Sequence, residues 1–410
     1  MRIIADLHIH SKHSRGCSRE LTLPNIAKWC SFKGIDIVST GDFTYPAWLK
    51  AIRDELAPAG GGFYKLKRGE EKTLFVIGTE ISCIYKQGER SRRVHVCLLA
   101  PSLEAAEGLT ERLNKLGLNL KSDGRPIIGL PVKELARLAW EVDENFFVFP
   151  AHAWTPWFSV FGSKSGFDSL EECFEELTPK ICAIETGLSS DPAMNRLWSK
   201  LDNTALVSNS DAHSLNNLGR EANVFELNES ELNYSSLTSA IRDKNKFLFT
   251  IEFFPQEGKY YFDGLAACHS FSPSESRKNK NLCPDCGKRL TLGVLNRVES
   301  LSDRQNYDQS RFVPSKNLIP LQEIIADAFG IGKNSKKVIR EYLNIVQKQP
   351  EFSVLLDLNE AELRILTLPE IAESIIKVRN GQVEIIPGYD GIFGEIKIKG
   401  IKKSEQEKLF

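Results

Sequence analysis

The sequence predicts an α/β chain, with a closed barrel of strands and helices over residues 1–255, a small cysteine-bearing segment over 256–300 and a mainly helical region over 301–410. Three observations carry that prediction. Short apolar runs alternate with helix-period stretches from Met1 to about residue 255, the pattern of a sheet whose strands are joined through helices. Histidines and carboxylates sit where those runs end. Past Phe253-Phe254-Pro255 the sequence turns polar and turn-rich around Cys283-Pro284-Asp285-Cys286, and then becomes helical.

The elements follow in order. Arg2 to Ala5 reads as a first strand, and Thr22 to Cys30 as a capped helix with Pro24 in its first turn. Ile35 to Ser39, Leu74 to Ile77 and Val94 to Ala100 are the next strands. Ser102 to Gly117 is a helix ended by its glycine, and Lys133 to Glu141 is another. Phe146 to Phe149, Ala183 to Glu185 and Thr204 to Ser208 complete seven strands. Alternation of this kind predicts a parallel sheet, and candidate ligands at so many strand ends favour a barrel with its site at the C-terminal mouth.

Those candidates are the most informative residues of the chain. Of seven histidines, five lie near strand ends: His8, His10, His95, His152 and His213. A strand places residues i and i+2 on one face, so His8 with His10, and Asp211 with His213, can reach one cation together. Asp42 and Glu80 end two further apolar runs. Imidazole and carboxylate donors suit divalent zinc, manganese, iron or magnesium, and a carboxylate can bridge two ions. A lone buried histidine is more often a satisfied core residue, but that reading fails for five together. It holds for His13, which lies in a polar turn, and Cys30, Cys83, Cys97, Cys173 and Cys182 read as small core residues. Two or three such ions hydrolyse phosphate esters without a protein nucleophile.

In the second segment, Cys283-x-x-Cys286-Gly287 is half of a structural zinc site, and Cys268 supplies a third thiolate. His269 is the nearest fourth ligand, with Asp263 or a more distant residue as alternatives. Farther on, Leu321 to Phe329, Ser335 to Val346, Glu360 to Thr367 and Pro369 to Val378 read as helices. The Gly330-Ile331-Gly332-Lys333 turn can offer backbone N–H groups to an anion, and Lys333, Lys336, Lys337 and Arg340 surround it with positive charge. The segment Pro387 to Gly394 reads as a shaped loop.

Composition sets outer bounds. A chain of 410 residues should hold two or three domains, and a net charge of -1 neither requires nor excludes nucleic acid. Nine widely spread cysteines argue against a disulfide framework. With no signal-like start and no apolar run near ~20 residues, a cytoplasmic protein without membrane contact is expected.

The ordered set His8-x-His10, Thr40-Gly41-Asp42, Gly78-Thr79-Glu80, His95, Ala151-His152 and Ser210-Asp211-Ala212-His213 resembles the PHP (polymerase and histidinol phosphatase) superfamily. That resemblance implies a distorted seven-stranded (β/α)7 barrel holding two or three metal ions. It implies that His8, His10, Glu80 and Asp211 hold one ion, that Glu80 bridges to a second on His95 and His152, and that Asp42 and His213 serve a third. Gly16 stands where the superfamily often has a further ligand. With the cysteine segment and the Gly330–Lys333 and Gly388-Tyr389-Asp390-Gly391 motifs, the whole chain resembles the endonuclease Q family of DNA-repair nucleases. This implies hydrolysis of the phosphodiester 5′ to a deaminated base (uracil, hypoxanthine or xanthine) or an abasic site, leaving a 3′-hydroxyl and a 5′-phosphate.

For such a reaction Trp154, Trp157 and Phe158, just past His152, are candidates to stack on a base, and Arg220, with Arg92 and Arg93, to hold phosphates. A phosphatase or exonuclease of the same barrel type, and a non-catalytic nucleic-acid-binding protein, are the competing expectations. Lys402 to Phe410 ends in an apolar pair that could dock on a sliding clamp.

Overall fold

The computed structural model describes residues 1–400. Seven strands form a ring: β1 Arg2–Asp6, β2 Ile37–Ser39, β3 Leu74–Gln87, β4 Arg90–Ala100, β5 Phe147–Pro150, β6 Ala183–Glu185 and β7 Ala205–Val207. The first three pair in parallel, as do β6 and β7. Bonds outside the regular ladders complete the circuit. The Ala153 N–H donates to the Glu185 carbonyl at 2.9 Å, joining the β5 side to β6. Beyond β7, the Asp211 N–H donates to the His8 carbonyl at 2.9 Å and the His10 N–H to the Ala212 carbonyl at 3.1 Å.

The expected all-parallel sheet is corrected at β4, which runs antiparallel to both β3 and β5. Gly88 and Glu89 form a two-residue turn between Gln87 and Arg90, so β3 and β4 are one long hairpin and need no crossover helix. The sequence suggested two short strands here because the hairpin overshoots the barrel. Its tip, Lys86 to Ser91, is exposed and carries no apolar signal.

The ring is distorted at β1. Arg2 to Ala5 pair antiparallel with Ala222–Glu226, whereas His8 and His10 bond to the segment after β7. Side-chain amides fill the split. Asn209 Oδ1 accepts from the Leu7 N–H at 2.9 Å and from Asn223 Nδ2 at 2.8 Å, and Asn223 Oδ1 accepts from the Ser208 N–H at 2.9 Å. Outside the ring, Phe247–Glu252 pairs with Ala222–Glu226, and Ser315–Asn317 with Phe247–Glu252.

The helices form close to their expected positions, with Leu23–Lys33 starting at Thr22, Leu103–Lys115 capped by Ser102, and Val132–Val142. The cysteine segment folds around a two-residue hairpin, Asp263–Gly264 with Ser270–Phe271, and the helices Pro273–Lys278 and Val294–Leu301. Its own buried apolar cluster is only Phe271, Cys283 and Leu290. The C-terminal region holds Leu321–Phe329, Lys336–Val346, Glu360–Leu366 and Pro369–Arg379, plus an unforeseen Glu351–Leu356 too short to show a period. A hairpin, Val383–Ile386 with Glu395–Ile398, follows. Among the described residues no helix is long and apolar enough to cross a membrane. The segment Lys402 to Phe410, considered for a sliding clamp, lies outside the described residues.

One apolar core runs from the barrel helix Leu23–Lys33 into the C-terminal helices. Trp29 stacks on Tyr342, with ring centroids 6.0 Å apart. At the same seam Lys33 Nζ lies 2.7 Å from Glu351 Oε2, both side chains almost wholly buried. Tyr342 Oη donates to Glu351 Oε2 at 2.7 Å, and the Leu321 N–H donates to Oε1 at 2.9 Å. Burying two charges is tolerable only with such a complete set of bonds, and removing one partner strands the other. Glu351→Ala is therefore expected to lower the free energy of unfolding by about 3–5 kcal/mol. Urea titration checks this, and the double change Lys33→Met with Glu351→Leu should recover only the part due to the stranded lysine, because Tyr342 Oη and the Leu321 N–H still lack their acceptor.

Candidate metal centre

The segment after β1 carries His8 and His10, and each imidazole is fixed from behind by a carboxylate. His8 Nδ1 lies 3.0 and 3.1 Å from the two Glu185 oxygens, and His10 Nδ1 lies 3.0 Å from Asp42 Oδ1. That pairing leaves each Nε2 free and pointed inward. His8 Nε2 is 3.6 Å from Glu80 Oε2 and 3.7 Å from Asp211 Oδ1. For His10 Nε2 the corresponding distances are 3.2 and 3.0 Å.

Glu80 stands at the centre. Its Oε2 faces His8 and His10, while Oε1 lies 2.7 Å from His95 Nδ1 and 3.1 Å from His152 Nε2. Two groups of donors, His8–His10–Glu80–Asp211 and Glu80–His95–His152, thus share one carboxylate, with the donor atoms of each within 4.8 Å of one another. His8 Nε2, His10 Nε2 and Asp211 Oδ1 are buried without a hydrogen-bond partner. Buried polar atoms rarely stay unpaired, and a divalent cation suits this nitrogen and oxygen set. Glu80 and His95 lie mid-strand rather than at strand ends, because β3 and β4 overshoot the mouth and β4 enters from the opposite direction.

Several expected residues fall elsewhere. Asp42 is spent: Oδ1 holds His10, and Oδ2 accepts from the Ser11 N–H, Ser11 Oγ and Ser14 Oγ at 2.7, 2.6 and 2.8 Å. His213 packs edge-on to His10, centroids 4.7 Å apart, with Nδ1 turned to the Asp211 carbonyl. No third donor group forms around these two among the described residues. Arg220 is half-buried in the wall of a crevice and donates to the Ser210 and Asp211 carbonyls at 2.9 and 3.4 Å, bracing the loop that carries Asp211. Arg92 is buried over the Phe167 ring, while Arg93 is exposed near Phe158. Trp154 sits in the core, donating to Asn195 Oδ1 at 2.7 Å and packed on Phe161 and Trp198, so it cannot stack on a base. Phe158 lies against His95, and Trp157 is exposed, edge-on to Tyr260.

Two site residues went unseen in the sequence. Glu185 ends β6 as other site residues end their strands, a signal that was available. Arg125, whose guanidinium lies 3.0 Å from Glu80 Oε2, comes from an irregular loop that offered none. Burial raises the Glu80 carboxyl, but His95, Arg125 and His8 outweigh it and hold the group well below the usual range. Burial drives His95 down to about 4, whereas at His8, His10 and His152 the neighbouring acidic groups overcome burial and raise the imidazoles. The backbone is strained here too. Asp42, His152 and Asp211 have positive φ values of 49, 29 and 46°, conformations that cost of the order of 1–3 kcal/mol each and collect at functional sites. Gly187 allows this at His152, since a Cβ there would come within 2.6 Å of the His152 Cβ.

In the second segment Cys268, Cys283 and Cys286 converge, and the Cys268 and Cys286 sulfurs are 3.7 Å apart, near the roughly 3.8 Å set by two thiolates on a tetrahedral zinc. His269 is corrected: it is exposed and pairs with Asp285 at 2.5 Å, outside the thiol group. Asp263 is committed to the Gly293 N–H and Asn296 Nδ2, both at 2.6 Å. The basic residues about Gly330–Lys333 lie on the surface, with Lys333 bound to Glu323 at 2.6 Å and Lys337 over the Phe329 ring, while Lys336 and Arg340 are exposed.

A mixed α/β barrel whose imidazoles share one buried carboxylate defines the class of metal-site hydrolases to which phosphodiesterases belong. Comparison narrows it. A family model described as the MJ0043 C-terminal domain matches residues 320–382. Protein MJ0043 of Methanocaldococcus jannaschii is 34% identical over 255 residues; the match covers 60% of this chain, which spans about a third of that relative's length (32%). Protein YqxK of Bacillus subtilis is 29% identical over 97% of this chain and 99% of its own. The lesion-specific endonuclease PfuEndoQ of Pyrococcus furiosus superposes with a TM-score of 0.86 at 31% identity, over 100% of this chain and 98% of that one. Endonuclease Q bound to a 27-mer duplex with an abasic lesion at its active site gives 0.85 at 31% identity, over 100% of both chains. The chain belongs to the endonuclease Q family.

A second carboxylate pair lies outside the donor groups. Glu221 and Glu252 flank the Ala222–Ile251 pair of adjacent strands, fully buried, each with one oxygen unpartnered. Burial, with further carboxylates nearby, pushes Glu252 up to about 8 and Glu221 well above the usual range. Folding therefore favours their protonated forms. Their stabilising effect is full below the ordinary glutamate range and is lost as pH rises from there through about 8. Unfolding midpoints measured from pH 5 to 8.5 should fall, and Glu252→Gln should flatten that fall.

Proposed function

We propose that this chain is a metal-dependent DNA endonuclease that hydrolyses the phosphodiester 5′ to a deaminated base (uracil, hypoxanthine or xanthine) or an abasic site, leaving a 3′-hydroxyl and a 5′-phosphate. The sharing of Glu80 between two imidazole groups carries this reading, and full-length similarity to a lesion-specific endonuclease supports it. In this reading residues 1–255 are the catalytic barrel, 256–300 a zinc-binding unit built on Cys268, Cys283 and Cys286, and 301–410 the DNA-binding region. His8, His10, Glu80 and Asp211 hold one ion, and Glu80, His95 and His152 a second. When bound, divalent cations there supply an activated water and neutralise charge on the phosphodiester.

The protein groups do the positioning. Glu185 and Asp42 keep the Nε2 atoms of His8 and His10 inward, Arg220 fixes the loop of Asp211, and Phe158 covers one face of His95 against water. Arg125 sets a positive charge beside Glu80 where an anionic backbone would arrive. Lys336, Lys337 and Arg340 meet neighbouring phosphates. A crevice of about 520 Å³, lined by Ser214, Asn217, Arg220, Gln322 and Asn334 among others, opens between the barrel and the C-terminal helices. It has room for a nucleotide extruded from a duplex, a step that lesions make less costly. Nine unpaired cysteines support a reducing, cytoplasmic setting.

The test is an end-labelled duplex with one internal deoxyuridine, deoxyinosine or abasic site, incubated with Mg²⁺, Mn²⁺ or Zn²⁺. A single nick 5′ of the lesion is expected. Progressive shortening would point to an exonuclease, and binding without cleavage to a non-catalytic protein. Asp211→Asn should reduce nicking at least about 100-fold while gel-shift affinity for the duplex is kept, and chelation by EDTA should abolish it.

A further inference from the structure

The loop Pro387 to Gly394 is anchored at many points. The Gly388, Gly391 and Gly394 N–H groups donate to the Gln256, Lys259 and Glu257 carbonyls at 2.8, 2.9 and 3.1 Å. The Phe262 N–H returns a bond to the Gly388 carbonyl at 3.0 Å, and Asp390 Oδ2 accepts from the Ala266 N–H at 2.8 Å. These bonds tie the hairpin tip to the start of the cysteine segment. There is no slack: a Cβ on Gly394 would come within 2.2 Å of the Gln256 carbonyl oxygen.

This anchored loop nevertheless presents Phe393 to solvent, 66% exposed, beside Ile392 at 40%. Leaving a phenyl ring in water forgoes about 1.5–3 kcal/mol of burial, and a loop held this firmly cannot fold the ring away. The surroundings indicate what meets it. Phe393 lines the same crevice as Ser214, Arg220 and Lys333. Ser214 directly follows His213, and Arg220 donates to the Asp211 carbonyl, so the crevice that the ring lines reaches the loop that carries Asp211. Lys259 Nζ lies 4.5 Å from the ring centroid, which adds positive charge to an aromatic tip. Of the aromatics that the sequence offered, Trp154 is in the core and Phe158 lies against His95, while Trp157 is exposed with its edge on Tyr260.

We propose that Phe393 is a wedge that enters the base stack of duplex DNA beside the scissile phosphodiester and fills the gap left by the extruded nucleotide. The proposal rests on the endonuclease reading above. Opening a step between bases costs a few kcal/mol, and a ring stacked on the exposed base face offsets that cost. A fixed wedge suits this better than a mobile one, because the DNA and not the protein must then deform. Single strands have no stack to open, so the residue matters for duplexes above all.

The test compares wild type, Phe393→Ala and Phe393→Trp on one deoxyuridine oligonucleotide, single-stranded and annealed. Phe393→Ala should lower the ratio of duplex to single-strand nicking about ten-fold, the scale of one lost base–aromatic stack, and Phe393→Trp should restore it. A second readout uses uncut complexes of Asp211→Asn with 2-aminopurine next to the lesion. Its fluorescence should rise on binding when Phe393 is present and stay low with Phe393→Ala. An unchanged ratio together with an unchanged fluorescence rise in Phe393→Ala would overturn the wedge and leave the endonuclease standing. A wild-type protein that nicks neither substrate would overturn the endonuclease reading and the wedge with it.

Discussion

The shared carboxylate of Glu80 is the constraint on which the rest of the molecule depends. To present one oxygen to His8 and His10 and the other to His95 and His152, it must sit inside the ring with strands converging from both sides. A carboxylate so placed is expensive to bury, and four imidazoles with one guanidinium make it tolerable. The imidazoles in turn need fixed orientations, which Glu185 and Asp42 give to His8 and His10. The split edge of β1, the positive φ values at His152 and Asp211 and the brace from Arg220 all bring donors to one point.

Much of this was legible in the sequence, and the failures share a physical cause. His8 and His10 could be paired because strand periodicity puts them on one face whatever surrounds them. The three thiols were legible from spacing, because a Cys-x-x-Cys turn dictates convergence. Asp42 was misplaced because a carboxylate at a strand end looks the same in sequence whether it faces a metal or the back of an imidazole. Trp154 turns into the core for the same reason: position along the chain shows that a residue is near the mouth, not which way its side chain turns. His269 follows Cys268 directly, and neighbours in a turn point apart. The direction of β4 was hidden by a polar hairpin tip, and Arg125 by an irregular loop.

The regions beyond the barrel extend its core. The cysteine segment joins that core through Tyr261, Val294 and Val298, while around its thiols only Phe271, Cys283 and Leu290 form a buried cluster, and bonds to the loop of Gly388 to Gly394 add to it. The C-terminal helices extend the same core and close the seam with Lys33 and Glu351. Both border the crevice beside the mouth, the one through Gly258 and the other through Gln322 and Lys333.

The β3–β4 hairpin has a kinetic consequence. Glu80 and His95 are fifteen residues apart and face each other as soon as the hairpin forms, which takes microseconds in ordinary hairpins. His10 and Asp211 are some two hundred residues apart and meet only when the ring closes, a contact whose loop entropy makes it slow. The two halves of one centre are thus assembled by the fastest and the slowest events of folding, and a nascent chain can offer part of the three-donor group long before the four-donor group exists.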